Sequence, residues 1–136
     1  MRAPPVPPYR AAVTVLLVGI GGFCGAIARY LVDGWIVART GATFPWGTLV
    51  VNLSGSFVLG ALFALAIERG VLPAGLRAPV LIGFIGAYTT FSTLALESWH
   101  LIEDGSYGLG VANLAGSMLL GVISVVAGLA LGRAIA

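Results

Sequence analysis

The side chains that could bind a small solute in this sequence are mostly neutral hydrogen-bond donors inside apolar segments. Asn52 and Ser56 are four residues apart and so share one helical face, as do Asn113 and Ser117. Polar groups inside a membrane are costly, and they usually face the interior of a helix bundle or a water-filled path. The alternative is that these residues only hold helices together through interhelical hydrogen bonds. The spacing therefore predicts two polar stripes, and solute contact and helix packing both stay open as their role.

A second polar cluster interrupts an apolar segment at residues 86–93, GAYTTFST. Consecutive threonines beside a glycine bond to nearby backbone and favour local unwinding of a helix. Carbonyl oxygens freed in this way cannot face lipid, and discontinuous membrane helices commonly use them to coordinate a cation. The alternative is an intact helix whose hydroxyl groups bond to carbonyl oxygens one turn back.

Two charged residues, Arg29 and Glu97, lie near the ends of apolar segments. Either side chain could extend to the lipid headgroups. Glu97 could instead line a water-filled vestibule, where it would hold a proton or repel anions. The sequence leaves both alternatives open.

The composition indicates that the solvent of this chain is lipid. Of its 136 residues, 59% are hydrophobic and only 9% are charged, against about 25% charged in an average soluble domain. Seven dispersed arginines and a net charge of +2 do not make a nucleic-acid-binding surface. One cysteine and one histidine exclude a disulfide scaffold and a histidine-rich metal site. The chain therefore offers little material for an enzyme.

The apolar segments predict an all-α integral membrane protein with four transmembrane helices. Residues 1–10, with four prolines, are predicted to be a disordered lead-in, and residues 11–136 a single transmembrane domain. The predicted spans are about 11–32, 46–67, 79–101 and 108–131, with a break in the third. Four spans place both termini on one side, and the arginines favour the cytoplasmic side. We therefore expect a multi-pass protein of the cell (inner) membrane.

A shift of 61 residues aligns two short motifs of the sequence with each other. Residues 22–26 match residues 83–87, and residues 52–56 match residues 113–117. The pattern indicates either an ancestral two-helix duplication or chance agreement in a glycine-rich chain. The shift aligns Asn52 with Asn113.

These motifs resemble those of the small four-span bacterial fluoride channels (the Fluc/CrcB family), from about residue 15 onward. The WGTL motif at residues 46–49 with Asn52, and the TTFST motif at residues 89–93 with Glu97, are the specific elements. The resemblance implies passive, fluoride-specific export that reduces fluoride toxicity. It also implies an antiparallel, dual-topology homodimer in the lipid bilayer, with a structural sodium ion at its centre.

The resemblance also implies a role for each matching residue. Main-chain carbonyls of Gly86 and Thr89 would bind the sodium ion, and Arg29 would be the basic residue near the vestibule, where Glu97 is a second vestibule or gating charge. The neutral groups would supply the fluoride pathway, because a dry pore must replace the water of a strongly hydrated anion with donors and ring edges. The predicted pathway residues are Asn52, Phe91, Ser92, Thr93, Asn113 and Ser117.

Two features depart from that family. Leu94 stands where the family has a second phenylalanine, so one polarised ring edge is missing. The arginine bias towards one side also suits a subunit that pairs with an oppositely oriented paralogue, which is the alternative to the homodimer. Two other functions stay open: a small four-span proton-coupled cation or drug antiporter, with Glu97 as the candidate carboxylate, and a structural subunit that transports nothing.

Overall fold

The computed structural model describes residues 8–41 and 43–135, which are almost entirely helical. Two of its helices continue into π-helical segments, at Ala64–Glu68 and Pro79–Ile85. The α-helices, in chain order, are α1 (Pro8–Thr40), α2 (Trp46–Phe63), α3 (Ala74–Ala78), α4 (Gly86–Tyr88), α5 (Phe91–Glu103) and α6 (Tyr107–Ala134).

Four helical stretches are long and apolar enough to cross a membrane, which confirms the predicted all-α, four-span architecture. They are Ala11–Thr40, Trp46–Glu68, Ala74–Glu103 and Tyr107–Ala134. We refer to them as the first to fourth spans. The predicted lead-in falls largely on residues 1–7, outside the described residues, and α1 already begins at Pro8.

The first span is longer than the sequence predicted, because α1 continues from residue 33 to Thr40 instead of ending in a polar connection. The Arg39 guanidinium lies 3.8 Å from the centre of the Trp35 ring and donates a hydrogen bond to the Trp35 carbonyl. Gly41, with φ of +77°, then ends the helix in the left-handed conformation that glycine adopts without strain. Residues 33–40 fell outside the predicted first span, but they form the last turns of α1.

Glycines allow the spans to approach closely. A methyl group on Gly60 would overlap the Val125 carbonyl, and one on Gly128 would overlap the Phe57 carbonyl, so α2 and α6 are in backbone contact. In the same way, a methyl group on Gly83 would lie 2.6 Å from the Val18 carbonyl oxygen of α1. Such contacts drive helix association in lipid, where the hydrophobic effect between helices is absent.

We predict that Gly128→Ala lowers the free energy of unfolding by about 1–3 kcal/mol, because the new methyl group forces α2 and α6 apart. Gly116→Ala is the matched control on the same helix, since no atom lies within 4 Å of its added methyl group. The free energy of unfolding of both variants is measured in mixed detergent micelles. Equal stability of the two variants would contradict close packing at Gly128.

Candidate functional site

The third span is broken at two residues, Thr89 and Thr90. Their backbone angles are φ −79°, ψ 157° and φ −148°, ψ 120°, so both are extended. The Thr89 N–H and hydroxyl group both donate to the Ile85 carbonyl, which keeps the preceding turn helical. The break in the third span is confirmed. The polar cluster begins at Gly86, but Gly86–Tyr88 is helical and the break begins at Thr89.

The side chain of Asn52 bonds to both backbone groups of Thr90. Its Nδ2 donates to the Thr90 carbonyl at 2.9 Å, and its Oδ1 accepts from the Thr90 N–H at 2.7 Å. The Asn52 amide thus gives both polar backbone groups of Thr90 a hydrogen-bond partner at the break. One N–H and one lone pair of Asn52 remain for other partners.

The break deprives the carbonyl oxygens of residues 86–89 of their usual helical donors, those of Gly86 and Thr89 among them. In a continuous helix the Thr90 N–H would bond to Gly86 and the Thr93 N–H to Thr89. Here the Thr90 N–H goes to Asn52, and the Thr93 N–H goes to the Thr90 hydroxyl oxygen at 3.3 Å. The Gly86 and Thr89 carbonyls are therefore suited to bind a cation, which is the chemistry that freed carbonyls of broken membrane helices commonly perform.

A groove of about 430 Å³ brings together three of the predicted pathway residues, Asn52, Phe91 and Ser117. Ser117 is 5% exposed, and its hydroxyl oxygen has no partner in the described part of the chain. Phe91 is 65% exposed. The remaining lining residues include Ser56, Thr89, Thr90, Leu94 and Met118. The groove therefore combines hydroxyl and amide donors with an aromatic ring on an otherwise apolar wall.

A smaller cavity of about 190 Å³ shares the lining residue Thr90 with the groove, and we call it the vestibule. Arg29, Asp33, Thr48 and Thr93 line it, together with Thr90. Thr90 also lines the groove, so it forms part of the wall between the two spaces. Arg29, predicted to lie near a vestibule, lines this cavity, and Thr93 lines it as well and not the groove that contains Phe91.

Glu97 lies next to the vestibule without lining it. Its Oε1 accepts a 2.9 Å hydrogen bond from the hydroxyl group of Thr48, while Oε2 is buried with no partner among residues 8–41 and 43–135. Glu97 lines a third cavity of about 240 Å³ with His100 and Asp104. Thr48 therefore separates the carboxylate from the vestibule.

Two predicted pathway residues lie outside both spaces. Asn113 is 1% exposed, between α5 and α6, and its Nδ2 donates to the Ser98 hydroxyl oxygen at 2.9 Å. The Ser98 hydroxyl in turn donates to the Leu94 carbonyl at 2.7 Å. Ser92 is exposed, with its hydroxyl oxygen 3.5 Å from that of Thr90. The structure therefore does not bring Ser92 and Asn113 together with Asn52.

Sequence reasoning missed two residues of the site, Thr48 and Thr90, of which Thr90 lines both the groove and the vestibule. It also missed Ser98, the partner of Asn113. Thr48 precedes Asn52 by four residues and so continues its polar stripe, a signal that was present in the sequence. The hydroxyl of Ser98 is buried against the fourth span, and helical spacing alone gives no indication of that partner.

We predict that Thr90→Val lowers the free energy of unfolding by about 1 kcal/mol, because the Thr93 N–H loses its side-chain acceptor at the start of α5. Thr90→Ser keeps the hydroxyl group and should stay within a few tenths of a kcal/mol of the original chain. The free energy of unfolding in mixed micelles is measured for Thr90→Val and Thr90→Ser. A Thr90→Ser variant as unstable as Thr90→Val would exclude the capping role.

The sequence of this chain is similar to those of several named proteins. The sequence profile described as CrcB-like protein, Camphor Resistance (CrcB), matches residues 16–129. A fluoride-specific ion channel FluC of Magnetococcus marinus is 47% identical over 118 residues, which cover 87% of this chain and 96% of the relative. The FluC protein of Hahella chejuensis is 44% identical over 121 residues, which cover 89% and 95%. That of Rhizobium meliloti is 42% identical over 120 residues, which cover 88% and 96%.

Proposed function

The chain belongs to the CrcB-like protein family, and from this membership we infer that it is a fluoride-specific ion channel. It is a multi-pass protein of the cell membrane and not an enzyme. The observation that carries this function is the sequence identity to fluoride-specific channels over almost the whole chain. The four apolar spans agree with it.

For the conduction path, we propose that fluoride passes through the groove and the vestibule. Fluoride is small and strongly hydrated, so the path must offer donors in place of water. The unpartnered Ser117 hydroxyl and the remaining N–H of Asn52 are such donors, and the Phe91 ring edge carries partial positive charge. Arg29 and Thr93 then line the vestibule. The roles of Ser92, Asn113 and the Glu97 carboxylate stay predictions.

Leu94, which stands where the resembled family has a second phenylalanine, lies on the wall of the groove. It is 4% exposed, and its aliphatic side chain has no polarised edge. The proposed path therefore relies on Phe91 alone for aromatic contact within one chain. Amide and hydroxyl donors supply the remaining stabilisation of the anion.

The proposed assembly is an antiparallel homodimer in the bilayer, and an oppositely oriented paralogue is the alternative partner. Support comes from exposed residues of the first and third spans: Phe23 is 69% exposed, Phe91 is 65% exposed and Gly86 is exposed. Contact with a second subunit would cover the freed carbonyls of Gly86 and Thr89, which cannot face lipid.

The proposed structural ion is sodium, held by the carbonyl oxygens of Gly86 and Thr89. Both oxygens have lost their helical donors, and hard alkali cations prefer oxygen ligands. An ion bound there would offset the repulsion between anions in the path. It would also satisfy backbone groups that the break leaves without hydrogen bonds.

A proton-coupled cation antiporter is the alternative function. Such coupling needs an embedded carboxylate, and Glu97 is the candidate. Its Oε1 is occupied by Thr48, and it lines neither the groove nor the vestibule, so the geometry favours the channel. A third possibility, a structural subunit, would transport nothing.

We predict that the purified chain in liposomes releases fluoride passively, and that Asn52→Asp lowers this release about 100-fold or more. The reason is that a carboxylate on the groove repels the anion by about 3 kcal/mol. A fluoride electrode measures the release, and an unchanged gel-filtration profile shows that the variant is folded. Normal flux in Asn52→Asp would remove Asn52 from the path. Proton-coupled cation uptake that Glu97→Gln abolishes would replace the channel with the antiporter.

We predict that a tag on the C-terminus is accessible from both sides of the membrane, about half on each, because an antiparallel homodimer contains one chain in each orientation. Impermeant labelling of intact cells and of inverted vesicles measures the two fractions. Labelling from one side only would contradict the homodimer and favour a paralogue as the partner.

A further inference from the structure

Asn52 and Thr90 are joined by two hydrogen bonds across 38 residues of sequence. The bond from the Thr90 N–H to Asn52 Oδ1, at 2.7 Å, is the shorter of the two. It takes the one N–H that would otherwise bond to the Gly86 carbonyl. A single side-chain oxygen on α2 therefore keeps a main-chain oxygen of the third span free of its helical partner.

The same bond also sets the direction of the Thr89 carbonyl. Thr89 C=O and Thr90 N–H belong to one peptide group, and the described residues contain no cis peptide bond. In a trans peptide these two groups point in opposite directions. Because the N–H points at Asn52, the Thr89 oxygen points away from it, and so away from the α2 side of the break.

We propose that Asn52 is a positioning residue for the cation site: through the Thr90 peptide it frees the Gly86 carbonyl and aims the Thr89 carbonyl at the ion. This inference rests on the proposed structural sodium ion. Asn52 touches neither oxygen, so its effect passes entirely through the peptide group of Thr90.

The arrangement also couples the cation to the groove. A positive ion on the Thr89 oxygen polarises its peptide group, which strengthens the bond from the Thr90 N–H to Asn52 Oδ1. The polarised amide of Asn52 then becomes a better donor through its remaining N–H, which is available to the groove that Asn52 lines. Cation binding and anion binding thus favour each other through one chain of peptide and amide dipoles.

The test measures sodium affinity without fluoride, from the sodium dependence of the melting temperature in N-methylglucamine buffer. Asn52→Leu removes both bonds and should weaken sodium binding about tenfold, as expected when a ligand-orienting hydrogen bond is lost. Asn113→Leu is the matched control, because Asn113 bonds to Ser98 and not to the break. Its sodium affinity should stay within about twofold of that of the original chain. Asn52→Asp keeps an oxygen acceptor for the Thr90 N–H, so it should retain sodium affinity although it loses fluoride flux.

A second measurement uses the unaltered chain, so it does not depend on the folding of a variant. Sodium added to ¹⁵N-labelled protein in detergent should shift the resonances of the Thr90 amide and the Asn52 side chain, while those of the Asn113 side chain stay in place. Equal sodium affinity in Asn52→Leu and the original chain would overturn the inference, as would unmoved Thr90 and Asn52 resonances. Fluoride release is measured in a separate assay. A protein that conducts fluoride without this coupling and a protein that binds sodium without conducting fluoride therefore give different results.

Discussion

Every backbone polar group of a membrane-spanning segment needs a partner, because lipid offers none, and the centre of this molecule is organised by that requirement. The third span gives up helical hydrogen bonds at Thr89 and Thr90. An amide from the second span takes over one lost contact, and a threonine hydroxyl takes over another. The carbonyl oxygens left over lie at the point where the proposed ion binds, so the cost of the break and the proposed function have the same origin.

The break becomes possible because the helices around it are held at backbone distance. Gly60 and Gly128 bring α2 against α6, and Gly83 brings the third span against α1. With α2 held in this way, Asn52 lies within hydrogen-bonding distance of Thr90. Small residues with no chemistry of their own therefore place the amide that forms the central contact.

The sequence predicted more of the fold than of the site. Four apolar segments, and a break between Gly86 and Thr93, follow from composition and from the effect of adjacent threonines on a helix. The end of α1 was missed because Asp33 and Arg39 are polar, although both lie within the helix and Arg39 packs on the Trp35 ring one turn before it. For Asn52 and Asn113, which the 61-residue shift aligns, the spacing predicted the helical face but not the partner. Asn52 bonds to the backbone of Thr90 at the break, and Asn113 bonds to Ser98.

The bond between Asn52 and Thr90 also has a consequence for biogenesis. A span that enters the bilayer alone keeps its own helical hydrogen bonds, because no neighbour is present to replace them. The extended backbone at Thr89 and Thr90 therefore needs the second span beside it, so the break is a property of the assembled bundle and not of the third span alone.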